Sequence, residues 1–190
     1  MGFARLHLPF SQQVRILLVI FIIMTVVEVV NALMGRMLNS YGILPRSADH
    51  WLGVPLAPFL HGSPAHYASN IVPLLVLSFF AMQHGIWRYL LVTTGVILAS
   101  GLLVWLFGRP AIHIGASGLI YGYFGFLLVA GFVSREFKLI LIAVVVWLLY
   151  GSIIYGVLPS LPHISFESHL FGFLTGAFVG YRWGGVRQKL

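Results

Sequence analysis

The amino-acid sequence predicts an all-α polytopic membrane protein, with six transmembrane helices packed as a bundle in one domain. Of its 190 residues, 59% are hydrophobic and only 8% are charged, and the mean hydropathy is +0.98. A soluble domain carries about 25% charged residues. The apolar residues fall into six blocks, each near the length of roughly 20 residues that a helix needs to cross a bilayer. Lipid is therefore the predicted solvent of this chain.

The six predicted helices follow one another along a single domain that spans residues 1–190. They cover residues 13–34, 64–83, 87–107, 115–134, 138–158 and 165–183. The first, third and fifth contain apolar runs long enough, or nearly so, to cross the hydrocarbon core, whereas the runs of the second, fourth and sixth are short. The longest connection, about residues 35–63, is rich in Gly, Pro and His and is expected to lie at the membrane interface.

The basic residues lie between the apolar blocks and orient the predicted bundle. One side of the membrane receives Arg5, Arg15, Arg88, Arg135, Lys138, Arg182, Arg187 and Lys189, and the other receives Arg36, Arg46 and Arg109. Because cytoplasmic loops carry the excess of Lys and Arg, both termini are expected in the cytoplasm. The same topology accounts for the net charge of +7, so no nucleic-acid partner is expected. The absence of cysteine excludes disulfides, thiolate metal sites and a cysteine nucleophile.

The short helices can span the membrane only if polar residues complete their outer ends. Counted from the cytoplasmic end of each helix, His66, Asn70, Ser117 and His169 lie 13 to 17 residues along. At about 1.5 Å per residue, these positions are roughly 20–25 Å above the inner boundary of the hydrocarbon core. Polar residues at such a depth usually face the bundle interior or a water-filled cavity. The alternative is that they only join helices, and for Ser117 alone that would be ordinary packing. Convergence of all four favours a site.

Small residues repeat every four positions on two of the short helices. They are Gly118 and Gly122 on the fourth helix, and Gly172, Gly176 and Gly180 on the sixth. Small residues at this spacing let two helix backbones approach closely in a membrane. The spacing predicts that the outer ends of these helices meet, which would bring Ser117 next to His169.

A serine and a histidine at one depth permit nucleophilic catalysis. Histidine is the usual base that takes the proton from a serine hydroxyl, and the attack builds negative charge that hydrogen-bond donors must stabilise. The Asn70 amide, the His66 ring N–H and the backbone N–H of Ser117 are candidate donors, because Asn70 and His66 share one side of their helix. Glu167 is two residues from His169 and cannot face the same side of a helix, so a Ser117–His169 dyad is predicted.

Other protease chemistries are excluded by the residues present. An intramembrane aspartyl protease needs two aspartates, and Asp49 is the only aspartate in the chain. A zinc protease would need a pattern such as H-E-x-x-H, which is absent. The G-x-S-x-G pattern of soluble hydrolases is not met either, because Leu119 stands where its second glycine should be. Neither a metal nor a cofactor is expected.

Three motifs resemble the signature of the rhomboid intramembrane serine proteases. They are "HGSPAHYASN" (residues 61–70), "GASGLIYG" (residues 115–122) and "HLFGFLTG" (residues 169–176), in the family's order on the second, fourth and sixth helices. The resemblance covers essentially the whole chain. It implies a six-helix rhomboid-like bundle that cuts other membrane proteins in or near their transmembrane segments. It also implies that Ser117 is the nucleophile, that His169 is the base, and that His66 and Asn70 help bind the oxyanion.

The resemblance implies supporting roles and partners as well. Tyr121 would stack on the histidine ring, Gly115 would free the backbone before the serine, and His61 would be structural. Substrates would be membrane proteins, typically with a single span, within the lipid bilayer. The run "GILPR", residues 42–46, is typical of a bacterial branch, which implies a bacterial cytoplasmic membrane with the active site opening near its outer face. Many members carry a Trp-Arg pair in the first outer loop, whereas no arginine follows Trp51 here.

Two other functions stay open at this stage. A rhomboid-like protein without catalytic activity could bind membrane clients, although such proteins normally lack the serine or the histidine, and both are present. A small transporter could use the polar cluster as its pathway, although it would want an acidic relay or inverted repeats, and the sequence has neither.

We predict no catalytic role for four further ionisable residues. Glu28, inside the first helix, is expected to hydrogen-bond the first outer loop, since an ionisable group in a membrane needs a partner. His84, His113 and His163 fall in connections between helices and are expected to be solvated.

Overall fold

The computed structural model describes residues 8–159 and 164–185, and long helices dominate both ranges. The helices are α1 (Phe10–Leu33), α2 (Pro64–Met82), α3 (Ile86–Phe107, with a π-helical turn at Val96–Ser100), α4 (Ser117–Ser134), α5 (Phe137–Val157, which ends as a 3₁₀ helix at Gly151–Val157) and α6 (Phe166–Trp183). The predicted all-α bundle is confirmed. α1 begins three residues before its predicted start, and α4 begins two residues after.

Five of these helices, α1 to α5, are long and apolar enough to cross a membrane. The remaining one, α6, has 18 residues but carries Glu167, His169 and Arg182. The bundle accommodates α6 because the side chains of Glu167 and His169 are buried in its interior. Charged and polar groups in a membrane protein favour that position over the lipid-facing surface.

The central helix of the bundle is α4. Its middle residues Tyr123, Phe124, Phe126 and Leu127 are completely or almost completely buried. A helix that is apolar on every side belongs in the interior, where neighbouring helices cover all of its faces. α2, α3, α5 and α6 pack around α4, whereas α1 packs against α2.

The contact between α4 and α6 depends on facing glycines. A Cβ atom on Gly172 would overlap the carbonyl oxygen of Gly118, and one on Gly176 would overlap the carbonyl oxygen of Gly122. Each pair therefore brings backbone against backbone, as the four-residue spacing predicted. The N-terminal ends of the two helices are consequently adjacent.

The connection between α1 and α2 folds over the chain segment that leads into α4. It forms short helical turns at Met37–Tyr41, Ala48–His50, Gly53–Leu56 and Ala57–Phe59. Ile43 exchanges two backbone hydrogen bonds with His113, at 3.0 and 2.9 Å, and the Gly115 N–H donates to the Ala57 carbonyl at 2.9 Å. These bonds hold the backbone just before Ser117 in place.

Glu28 pairs with the first connection, as the sequence predicted. Its carboxylate lies 2.8 Å from the Arg36 guanidinium, and the pair sits at the outer end of α1. Arg36, Asn31 and Asn39 also donate to one backbone carbonyl, that of His61, at 3.1, 3.4 and 3.2 Å. This network anchors the residue from which the chain turns into α2. The first connection and α2 are thus tied to α1 by charge and hydrogen bonds.

The expectation that His84 and His113 are solvated is wrong. Both are buried, with 1% and 2% of their surface exposed. The His84 ring packs edge-on against Phe126, with ring centroids 5.0 Å apart. The His113 ring lies between Ser165 Oγ at 2.6 Å and the Arg109 carbonyl at 3.1 Å, and burial lowers its pKa below the ordinary value. Short connections in this bundle pack inward, so a position between helices does not ensure contact with water. His163 lies outside the described residues.

Candidate active site

Ser117 and His169 meet at the end of the α4–α6 contact where both helices begin. Ser117 is the first residue of α4, and His169 lies in the first turn of α6. Ser117 Oγ is 2.9 Å from His169 Nε2, which is hydrogen-bond distance. The glycine contacts at Gly118–Gly172 and Gly122–Gly176 keep the backbones close enough for these two side chains to touch. A serine hydroxyl and an imidazole in this geometry can exchange a proton.

The imidazole of His169 is held on its other edge and on its face. Its Nδ1 lies 2.9 Å from the Gly156 carbonyl oxygen. The Tyr121 ring stacks on it with centroids 4.1 Å apart and planes 5° apart. The Tyr121 hydroxyl donates to the Ile153 carbonyl at 2.7 Å, which fixes the stacking ring in turn. The histidine ring therefore has one orientation defined by three neighbours.

Gly115 permits a close approach between the backbone before Ser117 and the ring of His66. Its φ is +116°, a conformation that side chains of L-residues rarely adopt. A Cβ atom there would lie only 2.8 Å from both Cε1 and Nε2 of His66. Glycine is thus required twice at this position, for the turn of the chain and for the space that the ring occupies.

His66 and Asn70 lie one turn apart on α2, on the side that faces Ser117. The Gly62 N–H points at His66 Nδ1 from 3.4 Å, so Nδ1 is the accepting nitrogen and Nε2 carries the proton on the edge nearest Gly115. The Asn70 amide nitrogen donates to the His66 carbonyl at 2.7 Å and to Ser69 Oγ at 3.4 Å, and its Oδ1 is buried without a hydrogen-bond partner among the described residues. His66 and Asn70 both line the cavity that Ser117 also lines.

His61 supports this arrangement from behind. Its ring is completely buried and meets the rings of His66 and Tyr67 edge-on, with centroids 5.1 and 5.5 Å away. Burial, with the nearby His66 and Arg36, lowers the pKa of His61 to about 4, so the ring is neutral at pH 7. A neutral ring packed against His66 restricts its orientation without adding charge.

A cavity of about 690 Å³ connects these groups. Its lining includes His66, Asn70, Ser117, Tyr121 and His169. A volume in the range of roughly 300–1,000 Å³ is typical of sites that enclose a ligand. The four polar side chains that the sequence placed at one depth thus open into a single cavity.

Two residues of α5 that hold the dyad carry no strong signal in the sequence. Gly156 and Ile153 act through their backbone carbonyls, which leave no motif in a sequence. The signal that could have pointed to Gly156 is a glycine near the end of an apolar helix, where a packing or functional reason is common. No sequence pattern indicated the ion pair between Arg109 Nε and Glu167 Oε1, which are 3.4 Å apart. This pairing explains why Glu167 does not turn toward His169.

A family model of the Rhomboid domain matches residues 48–185, which contain all the site residues described above. The chain belongs to the rhomboid family. The predicted resemblance and the rhomboid-like helical bundle are therefore confirmed, and with its long apolar helices this rhomboid is an integral membrane protein.

Relatives of this rhomboid occur in bacteria and in a plant. An uncharacterised protein of Mycobacterium tuberculosis is 37% identical over 172 residues, which is 86% of this chain and 72% of the relative. An uncharacterised protein of Mycobacterium leprae is 35% identical over 173 residues, which is 86% of this chain and 68% of the relative. RHOMBOID-like protein 4 of Arabidopsis thaliana is 28% identical over 141 residues, which is 69% of this chain and 35% of the relative.

Proposed function

We propose that this rhomboid is an intramembrane serine endopeptidase that hydrolyses peptide bonds in or near transmembrane segments of other membrane proteins. The observation that carries the proposal is the 2.9 Å distance between Ser117 Oγ and His169 Nε2 at the wall of the cavity. Membership of the rhomboid family supports the same reaction class.

The proposed reaction begins when His169 Nε2 takes the proton of Ser117 Oγ as the oxygen attacks a substrate carbonyl carbon. The resulting oxyanion is bound by the His66 ring N–H, the Asn70 amide and the backbone N–H of Ser117. When the peptide bond breaks, the imidazolium returns its proton to the departing amine, and Ser117 is left acylated. A water molecule then gives a proton to His169 as it attacks the acyl carbon. His169 returns that proton to Ser117 Oγ when the acyl–oxygen bond breaks, which releases the acid and restores the serine and the neutral imidazole.

The proposed substrates are membrane proteins, typically with a single span, whose transmembrane helix unwinds near the cut. In a regular helix each backbone carbonyl is hydrogen-bonded within the segment, and in lipid no water replaces that bond. Such a carbonyl is inaccessible to Ser117. The polar wall of the cavity offers partners to an unwound stretch of backbone, which makes local unwinding less costly there than in lipid.

The proposed setting is a bacterial cytoplasmic membrane, with both termini in the cytoplasm and the active site near the outer face. The distribution of Lys and Arg between the connections supports this orientation. Arg46, one of the three residues assigned outside, donates to the carbonyls of Leu106 and Gly108 at 3.2 and 2.9 Å, at the outer end of α3. The Arg46 guanidinium is therefore hydrogen-bonded to backbone carbonyls at the proposed outer face.

A comparison of cells that produce the wild type or Ser117→Ala tests the proposed function. Mass spectrometry of membrane proteins should find new termini, in or near predicted transmembrane segments, only with the wild type. Equal amounts of the two proteins in the membrane are the control, because a client-binding role depends on abundance rather than on the hydroxyl. Identical sets of fragments in both strains would favour the catalytically inactive alternative.

Substitution of a single oxyanion donor should lower the rate of substrate turnover. Losing one such donor typically lowers kcat about 10²–10³-fold, so Asn70→Ala and His66→Ala should each reduce turnover of a verified substrate, less strongly where the remaining donors share the charge. The kinetics should be measured on folded protein in bilayers. Val72→Ala, two residues beyond Asn70 on the same helix, is the matched control, since its side chain is exposed and does not line the cavity. Unchanged turnover in both donor variants would remove these side chains from the oxyanion site.

A further inference from the structure

The second nitrogen of His169 faces the Gly156 carbonyl in place of the carboxylate that serine triads use. The carbonyl oxygen lies 2.9 Å from Nδ1. Glu167 is engaged with Arg109. In a triad, the acidic residue holds the imidazole in the tautomer that leaves Nε2 free to act as the base, and it stabilises the imidazolium that forms. The position of the Gly156 carbonyl matches that of such a partner.

We infer that the Gly156 carbonyl is a positioning group for His169, which holds the neutral ring as the Nδ1–H tautomer. This inference deepens the proposed function and rests on it. A neutral imidazole carries one ring proton, and a carbonyl can only accept. The proton therefore lies on Nδ1 and points at Gly156, and the lone pair of Nε2 faces the hydroxyl of Ser117. The opposite tautomer would set two lone pairs against each other at Nδ1 and would leave Nε2 unable to take a proton.

The position of Gly156 in the 3₁₀ helix at the end of α5 explains why its carbonyl is available. Carbonyls in the last turn of a helix have no partner within the helix and need one outside. Leu158 N–H donates to the Tyr155 carbonyl at 3.2 Å, and His169 supplies the partner for the next carbonyl along. The end of a helix also carries partial negative charge, which favours a cation beside it. The imidazolium formed during the reaction is such a cation.

Two contacts from the same segment act on the dyad together. Gly156 holds Nδ1 of His169, and Ile153 accepts the hydroxyl of Tyr121, which stacks on the same imidazole. Glycine is needed at the first position, because a Cβ atom on Gly156 would overlap Tyr121 Oη and would lie 3.3 Å from His169 Nδ1. The segment Gly151–Val157 thus sets both the tautomer of the base and its stacking partner.

Nitrogen NMR of the full chain, labelled with ¹⁵N-histidine in bilayers, tests the tautomer without reference to activity. The resonances of His169 are assigned by their absence from a His169→Gln sample. The neutral ring should show a protonated Nδ1 and an unprotonated Nε2. An Nε2–H tautomer in the wild type would overturn the inference whether or not the protein is a protease.

A backbone ester tests the carbonyl itself. Replacing the Gly156–Val157 amide by an ester weakens the carbonyl as an acceptor, so the Nε2–H tautomer should appear and fluorophosphonate labelling of Ser117 should slow about tenfold. An ester at Val157–Leu158 is the matched control, since it removes the Leu158 N–H from the same turn and leaves the Gly156 carbonyl intact. Equal effects of the two esters, or no effect of the first, would overturn the inference. Wild type that shows the Nδ1–H tautomer but never labels would instead refute only the proposed function.

Side-chain variants supply an independent check. Gly156→Ala should slow the labelling of Ser117 more than the ester does, because the new methyl group overlaps the Tyr121 hydroxyl. Adding Tyr121→Phe removes that hydroxyl and should restore part of the labelling rate. Gly95→Ala is the control, because it lies outside this segment and its Cβ atom would meet nothing nearer than Val179 Cγ2 at 3.8 Å. A double variant no faster than Gly156→Ala would contradict the geometry on which the inference rests.

Discussion

Ser117→Ala should abolish labelling of this rhomboid by a fluorophosphonate, and His169→Ala should reduce it by several orders of magnitude. A serine hydroxyl is a weak nucleophile unless a neighbouring base takes its proton. The only such base within hydrogen-bond distance of Ser117 in the described residues is His169 Nε2, at 2.9 Å. A serine that merely packs between helices would not be labelled, either in the wild type or in His169→Ala. In-gel detection of the adduct on protein in native bilayers, followed by mapping of the modified peptide, measures both effects.

The control for this pair is Ser168→Ala. Ser168 lies next to His169, but its hydroxyl is 2.7 Å from that of Ser165 and does not take part in the dyad. Labelling of this variant should stay close to the wild type, and unfolded wild type should not label at all. The labelling rate should also fall as the pH drops through the titration of His169, because an imidazolium cannot accept a proton. Wild type that cleaves a membrane substrate and keeps its rate after Ser117→Ala would refute the mechanism.

The helices and the residues of the dyad could be predicted from the sequence because both leave local signals. Apolar length marks a transmembrane helix, and a polar residue inside such a helix is costly enough to need a reason. Counting residues from the predicted cytoplasmic ends placed His66, Asn70, Ser117 and His169 at one level, and all four line one cavity. The glycine spacing on α4 and α6 likewise predicted a contact that the structure contains. Depth and helix phase are local quantities, so they can be calculated from position alone.

The contacts that complete the site depend on how connections fold back, which no local pattern records. Every residue carries a backbone carbonyl, so nothing in the sequence marks those of Ile153 and Gly156. They contact Tyr121 and His169 only because the end of α5 packs against the site. The expectation that His113 is solvated was wrong for the same reason, because its burial also depends on a connection that folds back. It is buried because the first connection pairs with it through Ile43, a bond between residues 70 positions apart. Long-range backbone pairing of this kind overrides the tendency of loops to be exposed.

Gly176→Ala should have the largest effect of any conservative change away from the cavity. A Cβ atom there would overlap the carbonyl oxygen of Gly122, which is backbone and cannot rotate away. The two helices must therefore separate along their whole contact. Overpacking a well-packed interior costs typically about 1–3 kcal/mol, and a clash with backbone belongs at the upper end of that range. Reversible unfolding in detergent mixtures should show the loss of stability.

The same separation should reach the dyad, because Ser117 and His169 sit on these two helices with only 2.9 Å between Oγ and Nε2. Fluorophosphonate labelling of the folded fraction of Gly176→Ala should therefore fall as well. Gly95→Ala is the matched control. Its Cβ atom would meet nothing nearer than Val179 Cγ2 at 3.8 Å, and alanine is the better helix former. A Gly176→Ala protein as stable and as reactive as Gly95→Ala would show that the backbones of α4 and α6 are not held together at Gly122, and that the position of the base depends on other contacts.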